Sequence, residues 1–255
     1  MLSGSIAVIT GGTAGIGRAC AEAFLSAGAG GVLINGRDAA RAERARAEIQ
    51  ARFPKARVVV ALGDVAKADA ARAVMAEAMR QLGRIDVLVN STGGNDLPRL
   101  LYRTPLDEIP GTLERCLFAQ ILCCAAALPF MREAGRGAVI NIASDAGKIP
   151  TPGESVIGAA MAGIIMFTRA LAVEGKRDGI RANVLTPSMT SGTEHYDKVM
   201  ADPFAGKLFA KAQRMAALGV VSKEELAGLA VFLASPAAAK ITGQAVSMTG
   251  GISAL

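Results

Sequence analysis

The run Thr10-Gly11-Gly12-Thr13-Ala14-Gly15-Ile16-Gly17 is the first stretch whose residue types could do chemistry, between an apolar strand and a helical sequence. Glycines in that setting let the backbone turn tightly and approach a pyrophosphate, which rests on amide groups at the helix N-terminus. Gly11, Thr13, Gly15, Ile16 and Gly17 are therefore candidate cofactor-binding residues. About 20 residues further on, at the tip of the second strand, an acid would bind the adenosine ribose of NAD. The tip here reads Asn35-Gly36-Arg37. With no acid there, Arg37 is placed to meet a 2′-phosphate, with Arg18 as a helper, which favours NADP(H) over NAD(H). The alternative for Arg37 is simpler: it begins a charged helix whose outer face is solvated.

His195 is the only histidine of the chain and titrates in a range useful for proton transfer, although a lone histidine also reads as a plain surface residue. Beside it stand Tyr196 and Asp197, two further groups able to carry a proton. The four cysteines, Cys20, Cys116, Cys123 and Cys124, have no metal-ligand spacing and no Cys-x-x-Cys motif. They read as small buried apolar residues of a reducing compartment, and no metal site is expected. Cys116 lies in an apolar stretch without an obvious base, so it reads as structural and not as a nucleophile.

These residues are strung between short β-branched runs that alternate with alanine-rich helical stretches. Strands are expected at Ile6–Thr10, Val32–Asn35, Val58–Leu62, Ile85–Asn90, Ala138–Ala143, Ile180–Leu185 and Ala245–Thr249. Helices are expected at Gly15–Ala27, Asp38–Phe53, Lys67–Leu82, Thr112–Ala134, Gly153–Glu174 and Lys223–Ala234. Strands that are apolar without alternation are buried on both faces, and β-α-β order then implies a parallel sheet. The fold expected is a single α/β domain of Rossmann type, a doubly wound sheet of about seven strands with helices on both faces. One segment, Ser188–Val221, breaks the alternation and shows no strand character. A long segment leaving the carboxyl end of a strand lies where ligands bind in such sheets, so it reads as a mobile substrate lid.

Composition narrows the function classes. The net charge of +6 comes mainly from arginines between Arg37 and Arg57, interleaved with Glu43 and Glu48, as on the wet face of a helix. Aromatics are only 4% of the 255 residues, which argues against a nucleic-acid surface. The most apolar stretch, Cys116–Met131, is interrupted by Gln120 and Pro129 and is shorter than the ~20 residues of a membrane span. Met1 leads into an apolar strand without a basic leader, so no signal peptide is expected and the location expected is cytoplasmic.

Further segments carry a family resemblance. Asp64-Val65 follows the third strand, "DVLVNSTGG" spans Asp86–Gly94, and "INIAS" ends on Ser144. "IRANVLTPS" covers Ile180–Ser188, and "ITGQAVSMTGG" covers Ile241–Gly251. With "TGGTAGIG" before them, the chain resembles the short-chain dehydrogenase/reductase family from end to end. The resemblance implies that Asp64 and Val65 contact adenine, that Asn90, Gly93 and Thr190 belong to the cofactor site, and that Pro187 stands beside the nicotinamide, with Ser188 replacing the family's glycine. It implies Ser144 as the substrate-binding serine. It also implies a small-molecule substrate and a homodimer or homotetramer built on the two long helices.

The departures are as clear as the matches. The family's tyrosine follows its serine by 13 residues and its lysine comes four later, which lands here on Ile157 and Met161. The only tyrosines, Tyr102 and Tyr196, have no lysine four or seven residues on. The family's helix asparagine aligns with Cys116. A branch acting on enoyl thioesters places its tyrosine seven residues before the lysine, and seven before Met161 is Glu154. A desolvated Glu154 could donate the proton, although a first-turn glutamate is also what a helix dipole favours. Three readings stay open. One is an NADP(H)-dependent reductase of a small hydrophobic carbonyl or enoyl compound with Ser144, Glu154 or His195 in the chemistry. Another is non-redox chemistry such as isomerisation, elimination or cyclisation in an apolar pocket of Ile157, Met161 and Cys116. The last is a non-catalytic binding protein.

Overall fold

The computed structural model describes residues 1–93 and 96–254. Gly94, the last glycine of the motif after the fourth strand, lies outside the described residues. Strand β1 (Ile6–Thr10) leads to helix α1 (Gly15–Ser26), and β2 (Gly31–Gly36) to α2 (Ala39–Arg52). Then come β3 (Arg57–Leu62), α3 (Ala68–Leu82) and β4 (Val87–Asn90). β1 and β4 are buried along their whole length and β2 in all but its last residue, while β3, at the sheet edge, fully buries only Val58 and Ala61. Asp38 caps α2 by accepting a 2.7 Å bond from the Arg41 amide, and Gly83, at φ +80°, closes α3 in a conformation that disfavours side chains.

One long helical run follows, made of α4 (Glu108–Leu113), a π-helical turn (Glu114–Phe118) and α5 (Ala119–Glu133). It starts before the Thr112 expected from sequence because Pro110 sits in its first turn, where a proline is tolerated. After β5 (Gly137–Ile142), α6 (Ser155–Gly175) and β6 (Ile180–Pro187), the Ser188–Val221 segment departs from expectation. It does contain strands. β7 (Thr190–Ser191) pairs in parallel with β8 (Val221–Ser222), so its two ends are pinned together. Between them lie α7 (Glu194–Ala201) and α8 (Ala205–Met215). Two-residue strands carry too little periodicity to be legible in sequence. Helix α9 (Lys223–Ala234), opened by a Ser222/Glu225 capping box, and β9 (Ala245–Met248) complete the chain.

The main sheet is parallel and seven-stranded, in the order β3-β2-β1-β4-β5-β6-β9. One core layer joins it to α1, α2 and α9, the other to α3, α5 and the C-terminal part of α6. The order reverses between β1 and β4, so a crevice opens at their carboxyl ends. A buried polar chain fixes the register beneath it. Thr10 donates to Asn90 at 3.1 Å, Asn90 to Asn141 at 2.9 Å, and Asn141 to Thr168 of α6 at 2.8 Å.

The stretches Glu108–Glu133 and Ser155–Asp178 are each long and apolar enough to cross a membrane by length and composition. The first exceeds the Cys116–Met131 stretch seen in sequence because α4 and the π turn extend it. Both place one face in the core, through residues such as Cys123, Met131, Ile164 and Leu171.

Candidate functional site

The loops at the carboxyl ends of β1 to β6 enclose a cleft of about 750 Å³ against α7 and α8. At one end is the β1–α1 turn. Gly11 has φ +66°, and a Cβ there would stand 2.4 Å from the Ser91 carbonyl oxygen. Gly15 has φ +53° and faces open space, with only Thr193 Cγ2 near, at 3.8 Å. Gly17 does not line the cleft; a Cβ there would lie 2.4 Å from the Gly11 carbonyl oxygen, so its role is to let α1 close on the turn. Gly36 gives the same close approach to Thr13, with a Cβ 2.7 Å from Thr13 Cγ2. Helix α1 is capped by Ala14, without a side-chain hydrogen bond and without an acid in its first turn. Its leading amides are thus left to an external acceptor, and the turn suits a pyrophosphate.

Gly11, Thr13, Gly15, Ile16, Arg37, Asp64, Val65, Gly93, Pro187 and Thr190 all line this cleft. Arg37 is exposed at its rim. Arg18 does not fulfil the expected helper role: it bonds Glu22 at 3.0 Å and Glu48 at 2.7 Å on the α1–α2 side, away from the lining. A cation within one turn of Glu22 satisfies the nearer anion first. Arg41 does reach the cleft, paired with Glu194 at 3.4 Å. Asp38 also reaches it, an acid just past the tip of β2, but one of its oxygens is spent on the cap of α2. Asn90 departs from expectation as well. Its carboxamide points into the sheet, bonded to Thr10, Asn141 and the Cys124 thiol, and it is not part of the cleft wall.

Ser144, Glu154 and His195 line the same cleft, as do Ile157, Met161 and Cys116, which share one apolar cluster. Ser144 follows β5, and its Oγ accepts a 3.2 Å bond from the Ala146 amide, which fixes the hydroxyl. Glu154 is the N-cap of α6 and partly buried. Burial pushes its carboxyl up to about 7, the Thr151 hydrogen bond opposes this, and the nearby Asp145 carboxylate adds to it. His195 is held below its ordinary range by burial and by Lys198, against the pull of Asp96. Helix α7 brings His195, Tyr196 and Val199 onto the cleft, and α8 brings Phe209.

The pocket is not apolar throughout. Asp96 and Arg115, which no motif drew attention to, also line it. Arg115 donates to Asp96 at 2.6 Å, and Thr112 donates to the same oxygen at 3.2 Å. Asp96 comes from the loop after β4 and Arg115 from the π turn, which sets Cys116 against Gly93. A π turn in a helix frequently marks a functional site, but its extra residue leaves no mark in the apolar period. Burial pushes the thiols of Cys20 and Cys124 up to about 12, as expected of inert core cysteines. Among the described residues no group of three or more His, Cys, Asp or Glu is placed to hold a metal.

Comparison with known proteins agrees with this geometry. A family model described as short chain dehydrogenase matches residues 5–203. The chain is 33% identical over 252 residues to a 3-oxoacyl-[acyl-carrier-protein] reductase of Synechocystis sp., covering 98% of both proteins. Among solved structures it resembles an L-sorbose reductase from Gluconobacter frateurii complexed with NADPH and L-sorbose, with TM-score 0.89 and 30% identity over 98% of this chain and 97% of that one. It also resembles a 7α-hydroxysteroid dehydrogenase complexed with NADH and 7-oxo glycochenodeoxycholic acid, with TM-score 0.90 and 26% identity over 98% and 94%.

Proposed function

The chain belongs to the short-chain dehydrogenase family, and on that premise we propose an NADP(H)-dependent oxidoreductase of a small carbonyl or enoyl compound that draws its proton from Glu154. The observation that carries this reading is the Glu154 carboxyl, raised to about 7 in the same cleft as Ile157 and Met161. Those two residues occupy the places where the resemblance expects the tyrosine and lysine. Neither side chain exchanges a proton, so the general acid must come from elsewhere in the cleft.

The cofactor, when bound, supplies the hydride. The open amides of α1 and the Gly11–Gly15 turn would hold its pyrophosphate, and Arg37, exposed at the rim, would meet the 2′-phosphate. Ser144 orients the substrate oxygen. Glu154, half protonated near neutrality, holds the proton within the same chamber. Ile157 and Met161 form an apolar wall that keeps water from the reacting group. Helices α7 and α8 act as the lid. The exposed apolar residues Phe118, Met166 and Val173 on the long helices support assembly as a homodimer or homotetramer.

The test is NADPH oxidation, followed by absorbance, with ketone and enoyl thioester panels across pH. We expect kcat to fall as pH rises through about 7. Glu154→Gln should lower kcat by about 10²–10⁴-fold with little change in KM. Full activity in Glu154→Gln, with the same pH profile, would remove Glu154 from the chemistry.

A further inference from the structure

Among the described residues, three buried polar atoms around the cleft have no hydrogen-bond partner: Thr92 Oγ1, Asp96 Oδ2 and His195 Nδ1. Their residues come from the loop after β4 and from α7, and all three line the same cleft. Buried polar atoms are almost always paired, and orphans lining one cleft, with Asp96 close enough to His195 to act on its charge, mark a place where a ligand completes the bonding. We infer that this wall recognises the hydroxyl groups of a neutral, hydroxylated substrate. The inference rests on the cleft being the substrate site, as proposed above.

Charge decides the class. Asp96 is already neutralised by Arg115 at 2.6 Å, so an ammonium group would gain little from the aspartate and would meet the guanidinium. Lys198 bears on His195 with the same sign. A carboxylate or phosphate on the substrate would gain as little from the paired Asp96 and Arg115, and would face the ionised fraction of Glu154. A hydroxyl carries no charge and both donates and accepts. It can donate to the Asp96 carboxylate, exchange bonds with the Thr92 hydroxyl, and meet the neutral His195 imidazole in either tautomer. A bare hydrocarbon chain would leave all three atoms unpaired, which is the situation in which binding sites discriminate most strongly. The reacting end of the substrate lies against Ile157 and Met161, and its hydroxylated arm against Thr92, Asp96 and His195.

The full chain, saturated with NADPH, would be assayed with erythrulose, a neutral open-chain hydroxylated ketone, and with 2-butanone, which has the same carbon count. We expect kcat/KM to favour erythrulose by roughly a hundredfold, and Asp96→Asn and Thr92→Val each to lower that ratio at least about tenfold. The second variant keeps the Asp96–Arg115 pair and guards against a folding defect. A ratio near or below unity, or a ratio unmoved in both variants, overturns the inference. Calorimetric titration of both ketones separates it from the reductase reading. Erythrulose binding that weakens in both variants, without NADPH oxidation, supports the hydroxyl-binding wall and removes the ketone-reductase reading. Turnover of 2-butanone with no erythrulose binding keeps the reductase and removes the wall.

Discussion

Arg115 Nη2 meets Asp96 Oδ1 at 2.6 Å, while the second oxygen of the same carboxylate is buried without a partner among the described residues. The pair joins the loop after β4 to the π turn, and its Asp96 carboxylate acts on His195 of α7 against burial and Lys198. Because His195 is the only histidine, its ring protons give a single titration curve by NMR. We expect a midpoint below the ordinary 6.5, since burial and Lys198 outweigh Asp96. Asp96→Asn removes the one anion acting upward and should move the midpoint lower still. A midpoint above 6.5, or one unmoved in the variant, would contradict this arrangement.

Glu154 gives a stability prediction of definite sign. Its carboxyl is raised in the folded state from 4.5 to about 7. The folded protein therefore binds the proton more tightly than the unfolded chain does. That contribution is fully present below 4.5 and is lost as pH rises through about 7. A shift of this size corresponds to at most about 3 kcal/mol. Glu154→Gln keeps the shape without the ionisation, so the stability difference between variant and wild type should grow in favour of the variant from pH 5 to pH 8. Urea unfolding at both values measures it, and a difference independent of pH would show that Glu154 ionises as freely as in water.

Gly17 tests the turn without touching the ligand. Its Cβ would stand 2.4 Å from the Gly11 carbonyl oxygen, a backbone atom that cannot rotate away. We expect Gly17→Ala to cost about 1–3 kcal/mol in unfolding free energy, and to weaken nucleotide binding by displacing the turn. Wild-type stability with wild-type binding would mean that α1 packs more loosely than the structure shows.

Much of this could be seen in the sequence, for identifiable reasons. Strands such as Ile6–Thr10 and Val87–Asn90 are buried on both faces, so their apolar runs carry the sheet directly. The glycine turn was legible because its conformational demands select the residue type, as the φ of +66° at Gly11 shows. What escaped depended on partners distant in the chain. Arg18 looked available until Glu48, thirty residues on, was folded against it. Asn90 looked like a cleft residue until Asn141 drew its carboxamide into the sheet. Asp96 and Arg115 lie in no motif, and only the tertiary fold pairs them in the cleft that His195 also lines. The strands β7 and β8 pair only two residues each, too few to leave a period.

The most direct test of the cofactor reading is a calorimetric titration of the purified protein with NADPH and with NADH. We predict micromolar NADPH binding, weaker NADH binding, and a loss of roughly tenfold to a hundredfold for NADPH in Arg37→Ala, with NADH little affected. Absence of binding by either nucleotide, or equal affinity that Arg37→Ala leaves unchanged, would contradict an NADP(H)-dependent oxidoreductase.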